Sequence, residues 1–294
     1  MKKSISIIIL AAVMLIPSVT LADAVVGDSV ITLGNDLTKE QRDELLKEMD
    51  ATGDEYLITV TNQEEHEYLG NYISKAQIGS RALSSSKITI EEKNSGLTVE
   101  TNKINWVTDE MYLNALMTAG VKDASVYVTA PFEVSGTAAL TGLIKAYEHT
   151  TGEEISEDVK QIANEELVET AKLADEVGSE NASALIAKVK EQIAEKGMPE
   201  NEQDLRELIE QSAQDLDVTL SEEDMNRLTD LFNKMKDVNI DWDLVSDQLD
   251  KVKDKITNFI ESEEGQNFFQ SVKEFFVAIW EAIISVFNGE EQTE

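Results

Sequence analysis

Two kinds of apolar spacing divide the chain near residue 150. In residues 25–150, short runs rich in β-branched and aromatic residues alternate with helical patterns. Val25–Leu33, Tyr56–Val60, Lys87–Glu92, Leu97–Thr101 and Ala124–Thr129 read as strands. Thr38–Met49, a segment from Thr61 or Asn62 through Tyr72, Thr108–Ala119 and Gly136–His149 read as helices. Thr38 and Gln41 have the spacing of a capping box, Gly120 stops the third helix, and Pro131 is expected to end the fifth strand. Lys93-Asn94-Ser95-Gly96 is a hairpin signal between the third and fourth strands. Helical crossovers permit parallel pairing and a tight turn requires one antiparallel pair, so the spacing predicts a mixed sheet.

After residue 152 the period is helical throughout. Val159, Ile162, Leu167, Ala171, Ala174 and Val177 form one stripe. Leu185, Val189 and Ile193 form a second, Leu205, Leu208 and Leu216 a third, and Met225, Leu228, Leu231 and Met235 a fourth. Gly178, Gly197 and Gly265 sit where helices should stop, Pro199 follows one of them, and Ser221 with Asp224 resembles a capping pair. Trp242, Val245, Leu249, Val252, Ile256 and Phe259 alternate by three and four; so short a heptad seam reads as packing within a helical bundle. The expected fold class is therefore α+β: an N-terminal mixed-sheet α/β domain at 25–150, then an all-α helical domain at 153–294.

The first 24 residues have a different grammar. Lys2 and Lys3 precede an apolar run from Ile5 to Ile16, then Pro17 and small residues. Ala22-Asp23-Ala24 is an A-x-A cleavage site, with cleavage after Ala24 preferred over Ala22. The run is short for a membrane span. Residues 1–24 are thus expected to be a signal peptide and the protein to be exported, secreted or associated with the cell envelope.

Composition narrows the function classes. With 25 Lys and Arg against 58 Asp and Glu, the net charge is −33, which repels phosphate backbones and argues against nucleic-acid binding. The acidity is uneven: residues 25–150 carry ten basic and twenty acidic residues, residues 151–294 thirteen and thirty-seven. The absence of Cys excludes disulfides, thiol nucleophiles and Cys-ligated metals, and two His cannot build a multi-His centre. No cofactor and no metal are expected.

One region carries a resemblance. Lys75-Ala76-Gln77-Ile78-Gly79-Ser80, the run Ser84-Ser85-Ser86, Tyr112 to Ala115 and Thr118-Ala119-Gly120-Val121 precede Ala130-Pro131-Phe132-Glu133-Val134-Ser135-Gly136-Thr137-Ala138-Ala139-Leu140-Thr141-Gly142. These blocks resemble the YpuA-like family of secreted proteins of unknown function from Gram-positive spore-forming bacteria. The resemblance implies an exported protein with the same two-part layout and carries no catalytic set.

The candidate chemistry is sparse. Ser135 is placed to cap a helix, with Gly136 and Thr137 presenting backbone N–H groups to a small anion or peptide; alternatively Gly136, Ala139 and Gly142 form a small face packed on the sheet. Ser84 and Lys87 have S-x-x-K spacing but run into a strand, without companion motifs. His66 lacks the second His of a zincin, since position 70 is Gly70, and both His66 and His149 read as structural. Asp237, Asn239, Asp241 and Asp243 alternate like a Ca²⁺ loop, but Trp242 and Gln248 stand where Gly and Glu are required. No phosphate-binding glycine motif or nucleophile elbow occurs.

The C-terminal segment is the most unusual feature of the chain. Six of the eight Phe fall in the last 36 residues. Phe268, Phe269, Phe275, Phe276, Trp280 and Phe287 are expected on a wide amphipathic face, interrupted by Lys273, Glu274 and Glu281. That face is the candidate surface for an unknown protein partner, self-association or shallow membrane contact. Taken together, the sequence points to a non-enzymatic interaction protein, with a small-anion or peptide site at Ser135–Thr137 or an unrecognised carboxylate hydrolase as alternatives.

Overall fold

The computed structural model describes residues 25–261. The elements run β1 (Ser29–Gly34), α1 (Lys39–Glu48), β2 (Tyr56–Val60), α2 (Asn62–Leu69), α3 (Lys75–Ile78), β3 (Ser85–Ile90), β4 (Leu97–Ile104), α4 (Asp109–Thr118), β5 (Ala124–Val134) and α5 (Ala139–Thr151). Only helices follow among the described residues: α6 (Glu157–Val177), α7 (Ser179–Lys196), α8 (Glu202–Asp215), α9 (Glu222–Asp237) and α10 (Trp242–Glu261). This is the α+β class that the patterning predicts. Thr38–Gln41 and Ser221–Asp224 both form complete capping boxes, and Gly178 and Gly197 end α6 and α7.

The five strands lie in the order β2-β1-β3-β5-β4. β1 runs parallel to β2 and antiparallel to β3; β5 runs antiparallel to β3 and parallel to β4. The sheet is mixed as expected, but the predicted hairpin does not form. β5 enters between β3 and β4, and Ile90 and Leu97 both pair with Ala124 across it. Asn94 and Gly96 do take positive φ, so the turn chemistry is present. Asp123 props it open: its carbonyl accepts from Glu91 N–H and its carboxylate from Gly96 N–H. The reason is burial. Ala124, Val126, Val128 and Ala130 are buried along β5, and a strand so covered belongs inside a sheet, with partners on both sides. β5 also continues through Pro131 to Val134; the ladder to β4 breaks at a bulge between Asn102 and Ile104, where Lys103 takes a φ of 58°. The first strand starts later than predicted, because Val25–Asp28 forms a turn around Gly27.

Alternation along β1 sorts side chains between layers. Ile31 and Leu33 pack with Leu45 and Met49 of the α1 segment. Val30 points into the opposite cluster with Ile88, Val126, Met111 and Leu140. Gly142 lets α5 lie close against the sheet: a Cβ there would sit 2.8 Å from Thr32 Oγ1 and 3.1 Å from Val60 Cγ2. The larger cluster continues through α6, α7, α8 and α9 to Val245 and Leu249 of α10.

Candidate functional site

The β5–α5 turn forms one wall of a pocket of about 230 Å³. Val134 to Ala138 face Gly79, Ser80, Arg81 and Ser84 of the α3–β3 loop, and Glu65 of α2 contributes to the wall. Ser135, Gly136 and Thr137, singled out from the sequence, are thus brought together, but not as a cap. The helix begins at Ala139, the cap position is Ala138, and no side chain accepts from its first turn. Ser135 Oγ instead lies 3.4 Å from Thr137 Oγ1. The correction follows from the backbone. Gly136 takes a φ of 90°, and its carbonyl accepts from Ala139 N–H and from the buried Tyr112 hydroxyl. The flanking carbonyls of Val134 and Ser135 accept from Asn105 and Val107 N–H. The segment leading from β4 into α4 therefore fixes the turn and delays the helix.

Across the pocket, α2 sets two neighbouring acids apart. Thr61 caps α2 and shares a capping box with Glu64, whose other oxygen meets Lys145 Nζ of α5. Burial pushes the Glu64 carboxyl up, but Lys145 and Thr61 outweigh it and hold it below the ordinary range. Glu65 faces inward and is 1% exposed. Its Oε2 accepts from Asn62 Nδ2 at 2.9 Å; its Oε1 has no hydrogen-bond partner. Burial, with Asp36 and Glu64 adding repulsion, raises this carboxyl to about 7 against the Asn62 bond. His66 lies 3.2 Å from the Gly79 carbonyl through Nε2, tying α2 to the loop. Arg81 stands at the exposed side, its guanidinium 6.0 Å from the Phe132 ring centroid.

Such a wall offers hydrogen bonds and charge of both signs. It holds one carboxylate, four hydroxyl side chains and one guanidinium. The paired acids of glycoside hydrolysis are not assembled in it. Ser84 and Lys87 are separated: Ser84 lines this pocket, whereas Lys87 donates to the Met49 carbonyl and lines another. That second pocket, of about 480 Å³, includes Asp28, Asp54, Glu55 and Tyr56. Its Glu55 carboxylate is saturated by Thr52 N–H, Gly53 N–H and the Thr52 hydroxyl, and is lowered to about 2, chiefly by the Thr52 N–H. His149 there stacks on Tyr56 with centroids 3.8 Å apart. Asp241 spends an oxygen on Leu244 N–H at the start of α10.

Sequence reasoning missed Glu65 and Arg81. A signal for Glu65 existed: it lies one helical turn before Leu69, which is fully buried. Arg81 carried none, being placed by the loop. The aromatic set Phe268, Phe269, Phe275, Phe276, Trp280 and Phe287 lies outside the described residues, as does the segment 1–24.

Comparison with known proteins adds kinship. The model of a family described as "Protein of unknown function (DUF1002)" matches residues 33–252. "Uncharacterized protein YpuA" of Bacillus subtilis (strain 168) is 63% identical over 280 residues, covering 95% of this chain and 97% of that protein. No solved structure matches.

Proposed function

The chain belongs to the DUF1002 family of proteins of unknown function, and from that premise we propose that it is an exported, non-enzymatic binding protein whose α/β half takes a small polar ligand in the pocket between Glu65 and the 135–137 turn. The observation that supports this reading is the unpartnered Oε1 of Glu65. An unpaired buried polar atom costs about 1–3 kcal/mol, and more when charged. Such a group calls for an explanation, and because Glu65 lines a pocket a bound ligand supplies one. The pocket volume, about 230 Å³, lies below the roughly 300–1,000 Å³ of sites for drug-sized molecules, so the ligand is small.

The experiment is a thermal-shift screen of the mature chain against small polar probes: sugars, phosphate, carboxylates, amines and amino acids. At least one probe should raise the unfolding temperature of the wild-type chain and lose that effect in Thr137→Val or Glu65→Gln. A screen in which no probe acts through these residues overturns the reading. Export rests on Lys2, Lys3, the apolar run and Ala22-Asp23-Ala24. Intact-mass measurement of protein recovered from culture medium and cell wall should give an N-terminus at Val25; recovery only from cells, with Met1 retained, counts against it.

A further inference from the structure

Resting on that binding reading, we infer that the ligand is a small zwitterion with the chemistry of a free α-amino acid, its ammonium seated at Glu65 and its carboxylate held by Arg81 and the turn that leads into α5. The pocket wall carries one charge of each sign, Glu65 and Arg81. Glu65 offers an acceptor oxygen that no group of the fold serves. A buried carboxylate is stable when ionised only if a cation or several donors meet it, and Asn62 supplies a single bond to the other oxygen. On the β5–α5 side, α5 spans thirteen residues and begins without a side-chain cap. The wall there is Thr137 and Ala138, just before the helix, and the Ala139 N–H is spent on the Gly136 carbonyl, so the pull on an anion comes from the helix dipole and from Arg81, the one basic residue of the wall.

A simple anion would satisfy the helix end but meet Glu65. A simple cation would satisfy Glu65 but meet the helix dipole. A zwitterion satisfies both, and Ser80, Ser84 and Ser135 supply hydroxyls for its remaining groups. The small volume admits a single amino acid rather than a peptide in extended form.

Proton linkage gives the inference a second handle. Charged and titratable neighbours of Glu65 are Glu64 and His66 on α2, Asp36 after β1, Arg81 in the α3–β3 loop, and Lys145 of α5, which is held by Glu64. Asp36 and Glu64 favour the neutral acid, whereas an ammonium needs the ionised form. Affinity for the zwitterion should fall about tenfold for each pH unit below the Glu65 transition. Affinity for a purely anionic ligand should rise instead.

The test titrates the mature chain calorimetrically with the standard amino acids. For each that binds, it adds the amine lacking the carboxylate and the acid lacking the ammonium. The expected result is binding of one or more amino acids, at least tenfold weaker binding of either half, at least a tenfold loss in Glu65→Gln, and weakening in Arg81→Ala. Should Glu65→Gln fail to fold, the fall in affinity below neutral pH reads the same ionisation in the wild-type chain. If an amine, an acid or an uncharged sugar binds as tightly through the same residues, the zwitterion is overturned while the binding reading stands. Amino-acid binding that ignores both Glu65→Gln and pH also overturns it. Silence across every probe class overturns both.

Discussion

Glu64 and Glu65 are identical side chains on one turn of α2, and their surroundings drive them in opposite directions. Glu64 closes a capping box and meets Lys145; Glu65 is turned inward, one helical turn before the buried Leu69. An acid raised from 4.5 to about 7 opposes folding in its ionised form. The unfolded chain releases this proton first. Stability linked to Glu65 is therefore full below about pH 4.5, declines between pH 4.5 and about 7, and stays low above that. Glu65→Gln should remove this dependence and stabilise the unliganded protein at alkaline pH by up to about 3 kcal/mol, with little change under acid conditions. Urea unfolding of both chains at about pH 5 and about pH 8 measures it; equal stability differences at the two pH values would refute the assignment. Helical phase made the inward direction of Glu65 legible, but not its missing partner, because a hydrogen-bond vacancy depends on what the α3–β3 loop and the β5–α5 turn bring near.

At the level of elements, caps and stops were the most legible features, because they are local chemistry. Thr38 with Gln41, Gly178 and Ser221 act as the spacing predicts. Two junctions departed from it, each through a non-local partner. The Lys93–Gly96 turn forms, yet Asp123 and the buried β5 separate its strands. The fifth helix starts three residues late because Tyr112, Asn105 and Val107 hold the 134–136 backbone in an irregular turn. Gly136 is what that turn requires. A Cβ there would sit 2.4 Å from Ile104 Cγ2 and 2.7 Å from the Tyr112 hydroxyl, at a φ of 90°. Gly136→Ala should therefore destabilise by about 2–4 kcal/mol, combining backbone strain and overpacking. A drop in unfolding temperature of only a degree or so would show that the turn relaxes.

For the whole molecule, the largely apolar contact between the sheet-bearing and helical halves holds a buried polar cluster. Lys190 of α7 is fully buried and uses all three ammonium donors, on the Asn114 carbonyl at 2.7 Å, Thr118 Oγ1 at 2.7 Å and Glu166 Oε1 at 3.1 Å. The Thr118 hydroxyl donates in turn to Glu166, and Asn114 Nδ2 to the Ser183 carbonyl. Burial pushes the Lys190 ammonium below its ordinary range, against the pull of Glu166. Removing one partner strands a buried charge, so Lys190→Met should cost about 3–5 kcal/mol; the double change with Glu166→Leu should recover most of it. Denaturant unfolding of the four chains of that cycle decides the matter, and additive losses would deny the coupling. By itself, the sequence determined the α+β class, the mixed sheet, the capping boxes and glycine stops, the family resemblance and a net charge of −33 weighted toward the helical half. These depend on residue spacing, local backbone chemistry and composition. Only the tertiary structure decided that β5 divides β3 from β4, that Lys190 spans the two halves, and that Glu65 shares a pocket with Ser135, Gly136 and Thr137. Each of those joins residues far apart in the chain, where periodicity carries no register and charge pairs are too numerous among 58 acids for spacing to choose between them.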